Sequence, residues 1–198
     1  MTENKKVISN FFVIEGLDGA GTTTQAKKLA TELTDSIFTW EPTNSDFGKM
    51  LRQILSQNLP IDKITLAHLF ATDRSNHLYN ETGILNQCKT HKVFCDRYIL
   101  SSFAYQSIDV NEEIVLSLNK DFPIPQITFF IDTPVDICMQ RIEKRDNREI
   151  YEHTELQLKI REKYLKGIEI FKKLGWNINI IDGTKNIDEI FIDICKYL

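Results

Sequence analysis

The segment that most constrains the fold is the glycine-rich stretch at residues 11–29, which reads FFVIEGLDGAGTTTQAKKL. Gly16, Gly21 and the hydroxyl of Thr23 match the phosphate-loop pattern G-x-x-x-x-G-K-[ST], and Thr22 stands where that pattern has lysine. The apolar run before the glycines predicts a strand, and the periodicity after them predicts a helix. This order indicates a loop whose backbone N–H groups bind phosphate, or else a tight turn without a ligand.

Strand-like runs alternate with helical runs along the whole chain. This alternation predicts an α/β fold, a three-layer α/β/α sandwich with a five-stranded parallel sheet and helices on both faces. The predicted strands are residues 11–15, 37–40, 92–96, 126–132 and 177–181. The predicted helices are residues 24–33, 46–57, 64–87, 135–144, 155–174 and 187–197. Ligands of such sheets bind beyond the carboxyl ends of the strands, here near residues 16–23, 41–43 and 96–97.

Length and composition predict a single domain over residues 1–198, since no linker rich in Pro, Gly or Ser interrupts the chain. The net charge of −4 argues against a nucleic-acid partner. No apolar run approaches the ~20 residues of a membrane span, and residues 1–9 lack a signal-peptide core. We therefore expect a cytoplasmic protein with no membrane partner. The four scattered cysteines predict reduced thiols rather than a disulfide or a metal site.

The basic segment at about 141–152 reads RIEKRDNREIYE and includes Arg141, Lys144, Arg145 and Arg148. One interpretation is a solvated helix surface with salt bridges between residues four apart. The other is a mobile basic lid that closes over phosphates bound at the glycine-rich loop.

Two further pairs of residues suggest ligand chemistry. Asp96 closes a predicted strand and Arg97 follows it, so the carboxylate could hold Mg²⁺ and the guanidinium a phosphate, unless the two form a structural pair. Phe70 and Arg74 lie four residues apart on one helix face. An aromatic plane beside a planar donor suits a nucleobase; the alternative is a core phenylalanine and a surface arginine.

These features in this order and spacing resemble the thymidylate kinases, a family within the adenylate-kinase-like P-loop fold. The resemblance covers nearly the whole chain and rests on the glycine-rich loop, EPTNSDFGKMLR, LFATDR, DRYILSSFAYQ, the basic lid and IDGT. It implies a P-loop nucleoside monophosphate kinase that transfers a phosphoryl group from ATP to dTMP, giving dTDP and ADP for pyrimidine deoxynucleotide biosynthesis. It also implies Mg²⁺ as cofactor and a homodimer packed through helices of the 46–87 region.

The resemblance also implies a role for individual residues. ATP would bind the loop residues Gly16, Leu17, Asp18, Gly19, Ala20, Gly21, Thr22 and Thr23. The acceptor nucleotide would bind Asp18, Arg52, Phe70, Arg74, Arg97, Ser101, Ser102, Tyr105 and Gln106. Within that set Arg52 and Arg97 would bind the phosphate, Phe70 and Arg74 the thymine, and Asp18 and Tyr105 the sugar.

The metal would be held by Thr23 and Asp96, and catalysis would use Arg97, Asp96, Arg145 and Arg148. Thr22 departs from the family pattern because it brings no charge to the loop. Another cation could replace the lysine, with Lys144 and Arg97 as candidates beside the two lid arginines. Otherwise the enzyme is slow, or the protein binds nucleotides without phosphorylating them. A kinase for another nucleoside monophosphate is the remaining alternative.

Overall fold

Parallel strands form one sheet in the computed structural model, which describes residues 6–143 and 154–198. The strands are β1 Val7–Gly16, β2 Ser36–Trp40, β3 Lys92–Asp96, β4 Ile124–Asp132 and β5 Ile178–Asp182. Their order in the sheet is β2-β3-β1-β4-β5, and every neighbouring pair is parallel. The predicted five-stranded parallel sheet is confirmed.

Helices flank the sheet on both faces. They are α1 Thr22–Glu32, α2 Asp46–Gln57, α3 Lys63–Tyr79, α4 Ile84–Gln87, α5 Ile99–Gln106, α6 Glu112–Asn119, α7 Val135–Ile142, α8 Thr154–Lys173 and α9 Ile187–Cys195. Phe129 and Phe130 are adjacent on β4, so their side chains point to opposite faces of the sheet. Phe130 packs on Tyr164 of α8, whereas Phe129 packs on Tyr197 just beyond α9. The three-layer arrangement follows from these contacts.

Two parts of the helix prediction were wrong. The single helix predicted at 64–87 is two helices, because Asn80 leaves the helical conformation and its side-chain oxygen accepts a hydrogen bond from the Thr82 backbone N–H. The sequence reading also missed α5 and α6. Both helices have only eight residues, which is shorter than the window of about 11–18 residues over which a helical period is read.

The register of the sheet brings the loops after the strands to one edge. Asp96 at the end of β3 lies beside Ile14 of β1 and Trp40 of β2, and Gly16 of β1 lies beside Ile131 of β4. The glycine-rich loop, the Glu41 turn and the Arg97 turn therefore meet at the carboxyl ends of the strands, where ligands of such folds bind.

All four cysteines are free, and Cys88, Cys95 and Cys138 are buried. Burial raises the pKa of the Cys88 thiol to about 12, so it stays protonated at neutral pH. In the part of the chain that the structure describes, no helix is long and apolar enough to cross a membrane.

Candidate active site

The glycine-rich loop is shaped by backbone conformations that favour glycine. Gly19 and Gly21 have φ of 83° and 97°, and a Cβ at Gly19 would lie 2.5 Å from the carbonyl oxygen of Cys138. Gly21 caps α1 without any side-chain hydrogen bond to the first turn. Because the N–H groups of that turn have no side-chain cap and the helix dipole is positive there, this end of α1 suits an anion such as phosphate.

Thr22 is a packing residue in this loop. It is the first residue of α1 and is buried. If Gly16 carried a Cβ, that atom would lie only 3.1 Å from the methyl carbon of Thr22. The Thr22 methyl therefore packs closely against the backbone of the loop at Gly16. Thr22 therefore brings an apolar contact to the position where a lysine would bring charge.

Two arginines of the described residues contact the loop, and both already have partners. Arg141 donates to the carbonyl oxygens of Gly19 and Ala20 at 3.3 and 3.4 Å. Arg97 donates to the carbonyl oxygen of Gly16 at 3.1 Å and pairs with Asp18 at 2.5 Å. The other cations proposed to replace the lysine, Lys144, Arg145 and Arg148, lie outside the described residues.

Thr23 and Asp96 form an oxygen-rich corner beside the loop. The Thr23 hydroxyl donates to one carboxylate oxygen of Asp96. The other oxygen, Oδ1, is buried and has no partner within residues 6–143 and 154–198. A hydroxyl and a carboxylate are hard oxygen ligands of the kind that Mg²⁺ prefers, so the pair fits that ion. No group of three or more His, Cys, Asp or Glu side chains in the same ranges is placed to hold a metal ion.

The Arg97 turn has a strained backbone that neighbouring groups hold in place. Arg97 has φ of 72°, which is uncommon for a residue with a side chain. Glu15, fully buried at the end of β1, accepts hydrogen bonds from the backbone N–H groups of Tyr98 at 2.9 Å and Ser101 at 3.1 Å. Tyr98 is the N-cap residue of α5, but its side chain makes no capping hydrogen bond. The Glu15 carboxyl group of β1 takes over this role.

Glu15 also reaches the Arg97 guanidinium indirectly. Its second oxygen accepts from the Ser101 hydroxyl and, at 3.4 Å, from the Tyr164 hydroxyl. Arg97 donates to those same hydroxyls at 3.3 and 3.2 Å and to the Tyr105 hydroxyl at 3.4 Å. Burial raises the pKa of the Glu15 carboxyl above its ordinary value. The alternative interpretation, a structural pair between Asp96 and Arg97, is wrong, since Asp96 accepts from Thr23 and Arg97 donates to Asp18.

One pocket collects most of the predicted acceptor residues. Eight of the nine line it, namely Asp18, Phe70, Arg74, Arg97, Ser101, Ser102, Tyr105 and Gln106. The ninth, Arg52, donates instead to the carbonyl oxygen of Pro42 at 2.6 Å and to Asn44 at 3.0 Å. Pro42 itself lines the pocket, so Arg52 lies one residue behind its wall.

Arg74 is buried, so the alternative of a surface arginine beside a core phenylalanine is wrong; Phe70 is the half-buried one. The Nε and Nη2 groups of Arg74 donate to one oxygen of Glu41 at 2.9 and 2.7 Å. Nη2 also donates to Ser102 at 2.9 Å, and Nη1 donates to Asn119 at 2.5 Å. The guanidinium is thus fixed at the pocket wall by a buried ion pair and neutral hydrogen bonds.

Sequence reasoning missed the residues that hold the site from behind. Glu41 was noted only as a polar residue after β2, yet it pairs with Arg74 and lies 3.2 Å from Nδ1 of His77. Glu15 was read only as the last residue of a strand. Glu15 and Glu41 each lie at the end of an apolar run that forms a strand, at the edge of the sheet where ligands bind. Their position there is the sequence feature that could have identified them. Asn119 gives no such signal.

The thymidylate kinase family model matches residues 14–194. A putative thymidylate kinase of Treponema pallidum is 39% identical, with 97% of this chain and 96% of that protein covered. A probable thymidylate kinase of Methanocaldococcus jannaschii is 37% identical, with 97% of each chain covered. The thymidylate kinase structure from Candida albicans superposes with a TM-score of 0.77 at 24% identity, covering 96% of this chain and 90% of that one.

Proposed function

This chain belongs to the thymidylate kinase family, and we propose that it transfers the γ-phosphoryl group of ATP to the 5′-phosphate of dTMP, giving dTDP and ADP. The observation that carries the proposal is the shared pocket: a base-reading pair, Phe70 and Arg74, lies in one cavity with Arg97 and Asp18 at the phosphate loop. An acceptor that spans the cavity places its phosphate beside the donor phosphates, and such positioning supplies much of the catalysis in phosphoryl transfer.

The base end of the pocket offers a donor beside an acceptor. Four of the five N–H groups of Arg74 are used by Glu41, Ser102 and Asn119. The buried side-chain oxygen of Gln106 has no hydrogen-bond partner among the described residues. Thymine presents the complement, a carbonyl acceptor at O4 beside the N3–H donor. Cytosine presents an amino donor and a bare nitrogen, which is the reverse pattern.

The other end of the pocket suits a deoxyribose phosphate. We assign Asp18 to the 3′-hydroxyl and Arg97 to the acceptor phosphate, with Arg52 near Pro42 as a second cation. The Tyr105 ring lies 5.2 Å from the central carbon of the Arg97 guanidinium. We assign it to the sugar, where it would clash with a 2′-hydroxyl and so select deoxyribose. Arg97 would exchange its bond to Asp18 for the acceptor phosphate when the nucleotide binds.

The donor site is the loop itself, with residues 16–23 around the ATP phosphates and Thr23 and Asp96 holding Mg²⁺. When bound, the ion would neutralise charge on the donor phosphates. The acceptor phosphate is already an anion, so no side chain has to remove a proton. We assign the charge that Thr22 lacks to Arg145 and Arg148 of the lid, because Arg97 is assigned to the acceptor phosphate and Arg141 donates to carbonyl oxygens of the loop.

Assembly and location complete the proposal. We propose a cytoplasmic homodimer in pyrimidine deoxynucleotide synthesis, with contact through α2 and α3. These helices carry exposed apolar side chains at Phe47, Met50, Ile64 and Tyr79. Light scattering on the purified protein tests this part, and a monomer at micromolar concentration would contradict it.

The experiment for the activity is ADP formation from MgATP with dTMP, dUMP, dCMP or no acceptor. We expect turnover that depends on the acceptor and is fastest with dTMP. Equal rates with all three nucleotides would contradict the thymine assignment of Phe70 and Arg74. Tight dTMP binding without ADP formation would contradict the kinase and leave a nucleotide-binding protein.

A further inference from the structure

Asn119 lies behind the base-reading arginine, away from the pocket. It is the last residue of α6, is buried, and is not one of the residues that line the acceptor pocket. Its amide nitrogen donates to the carbonyl oxygen of Val115 at 2.8 Å, which directs its oxygen towards Nη1 of Arg74 at 2.5 Å. We propose that Asn119 is a positioning residue that sets the choice between pyrimidines; this inference rests on the proposed function.

Most of the N–H donors of the Arg74 guanidinium already have partners. An arginine has five N–H donors in one plane. Glu41 takes two of them, Ser102 takes a third and Asn119 takes a fourth. A single N–H on Nη1 therefore has no partner among the described residues, and Arg74 lines the pocket. The nucleobase meets one donor of fixed direction.

Two aromatic rings also hold the plane of the Arg74 guanidinium. The Tyr98 ring lies 5.0 Å from the central carbon of Arg74, and the Phe122 ring lies 5.9 Å from it. Glu41 and Ser102 hold the Nε and Nη2 side, and Asn119 is the one partner of Nη1 within residues 6–143 and 154–198. Removal of the Asn119 oxygen would leave the rigid guanidinium held on its Nε and Nη2 side alone, so the whole group could tilt about that side and carry the Nη1 N–H out of line with the base.

Loss of the hydrogen bond between Arg74 and Asn119 should affect the binding of dTMP and of dCMP differently. A base with a carbonyl at this edge accepts from the fixed N–H, so it loses affinity when the donor is no longer held. A base with an amino group there cannot accept, so it has no such bond to lose. Asn119 therefore raises the ratio of dTMP affinity to dCMP affinity, whereas a purely structural residue would change both affinities by the same factor.

The test is titration calorimetry of dTMP and dCMP with native protein, Asn119→Leu, Asn119→Asp and Ser117→Ala. The leucine variant removes the acceptor at similar volume, and the aspartate variant keeps an oxygen facing Nη1. Ser117 is exposed on the same helix and serves as the control. We expect Asn119→Leu to lower the affinity ratio about tenfold, and the other two variants to keep it within about twofold.

An unchanged ratio in Asn119→Leu, or a collapsed ratio in Asn119→Asp, would overturn the inference. If thermal denaturation shows that Asn119→Leu does not fold, Asn119→Ala, which also removes the oxygen, takes its place with the same expected fall in the ratio. Binding is measured without turnover, so this test is independent of the kinase assay. A native protein that binds dTMP but makes no ADP would contradict the proposed function, and the ratio of dTMP to dCMP affinity would still test the role of Asn119.

Discussion

Glu15→Ala is expected to destabilise the chain strongly, whereas Glu15→Gln is expected to be mild. Both change the residue that caps α5 from β1. Alanine leaves the buried N–H groups of Tyr98 and Ser101 without an acceptor. Glutamine keeps the volume and one acceptor oxygen, and its amide can donate to the Ser101 hydroxyl.

The magnitude follows from the number of bonds. Each buried donor left unsatisfied costs about 1–3 kcal/mol, so the alanine variant should lose roughly 3–5 kcal/mol and the glutamine variant roughly 1 kcal/mol. For a chain of this size, 1 kcal/mol shifts Tm by about 2–4 °C. The two variants should thus differ by roughly 2–4 kcal/mol, or in Tm by roughly 4–16 °C.

Differential scanning calorimetry measures this difference, with Glu169→Gln on the exposed side of α8 as the matched control. The same series tests the protonation of Glu15. Because burial raises the folded-state pKa, the folded chain binds this proton more tightly than the unfolded chain. Native stability relative to Glu15→Gln should therefore fall as pH rises from the ordinary carboxyl pKa to the raised one. Equal Tm losses in the alanine and glutamine variants, or a native advantage that grows with pH, would refute the reasoning.

Three further predictions concern the donor site and the base. Thr22→Lys should change kcat by less than about tenfold, because another cation already serves the loop. The double variant Arg145→Ala/Arg148→Ala should lower kcat by about 10²–10³. A hundredfold gain in Thr22→Lys would show that no other cation serves the loop. Asp96→Asn should raise the Mg²⁺ concentration needed for half-maximal turnover by about tenfold or more, and an unchanged Mg²⁺ titration would remove Asp96 from the metal site. Phe70→Ala should raise KM for dTMP by about tenfold or more, because stacking on the base is lost, and should leave KM for ATP unchanged. Steady-state kinetics measure both constants, and equal changes in the two would argue against a contact between Phe70 and the base.

Local patterns allowed much of the fold to be predicted from the sequence. The strands are short apolar runs separated by helical runs, and the phosphate loop is continuous in the chain. The pair Phe70 and Arg74 was found because residues four apart share a helix face. Each of these signals lies within a few residues.

The missed parts depend on contacts between distant segments. Arg74 and Asn119 are 45 residues apart, and Glu15 and Ser101 are 86 apart, so neither pair forms a pattern in the sequence. The helix α5 was missed for a different reason, since its eight residues are too few for a helical period to be read from the sequence. Buried polar partners are therefore the part of the site that needed coordinates.

The central claim is that a loop with Thr22 still supports phosphoryl transfer to dTMP. Phosphorus NMR of native protein with MgATP and dTMP follows both products in one sample. The account predicts that dTDP and ADP appear together in equal amounts and that ADP formation stops when dTMP is left out. Persistence of ATP and dTMP under conditions where dTMP binding is saturated would contradict it.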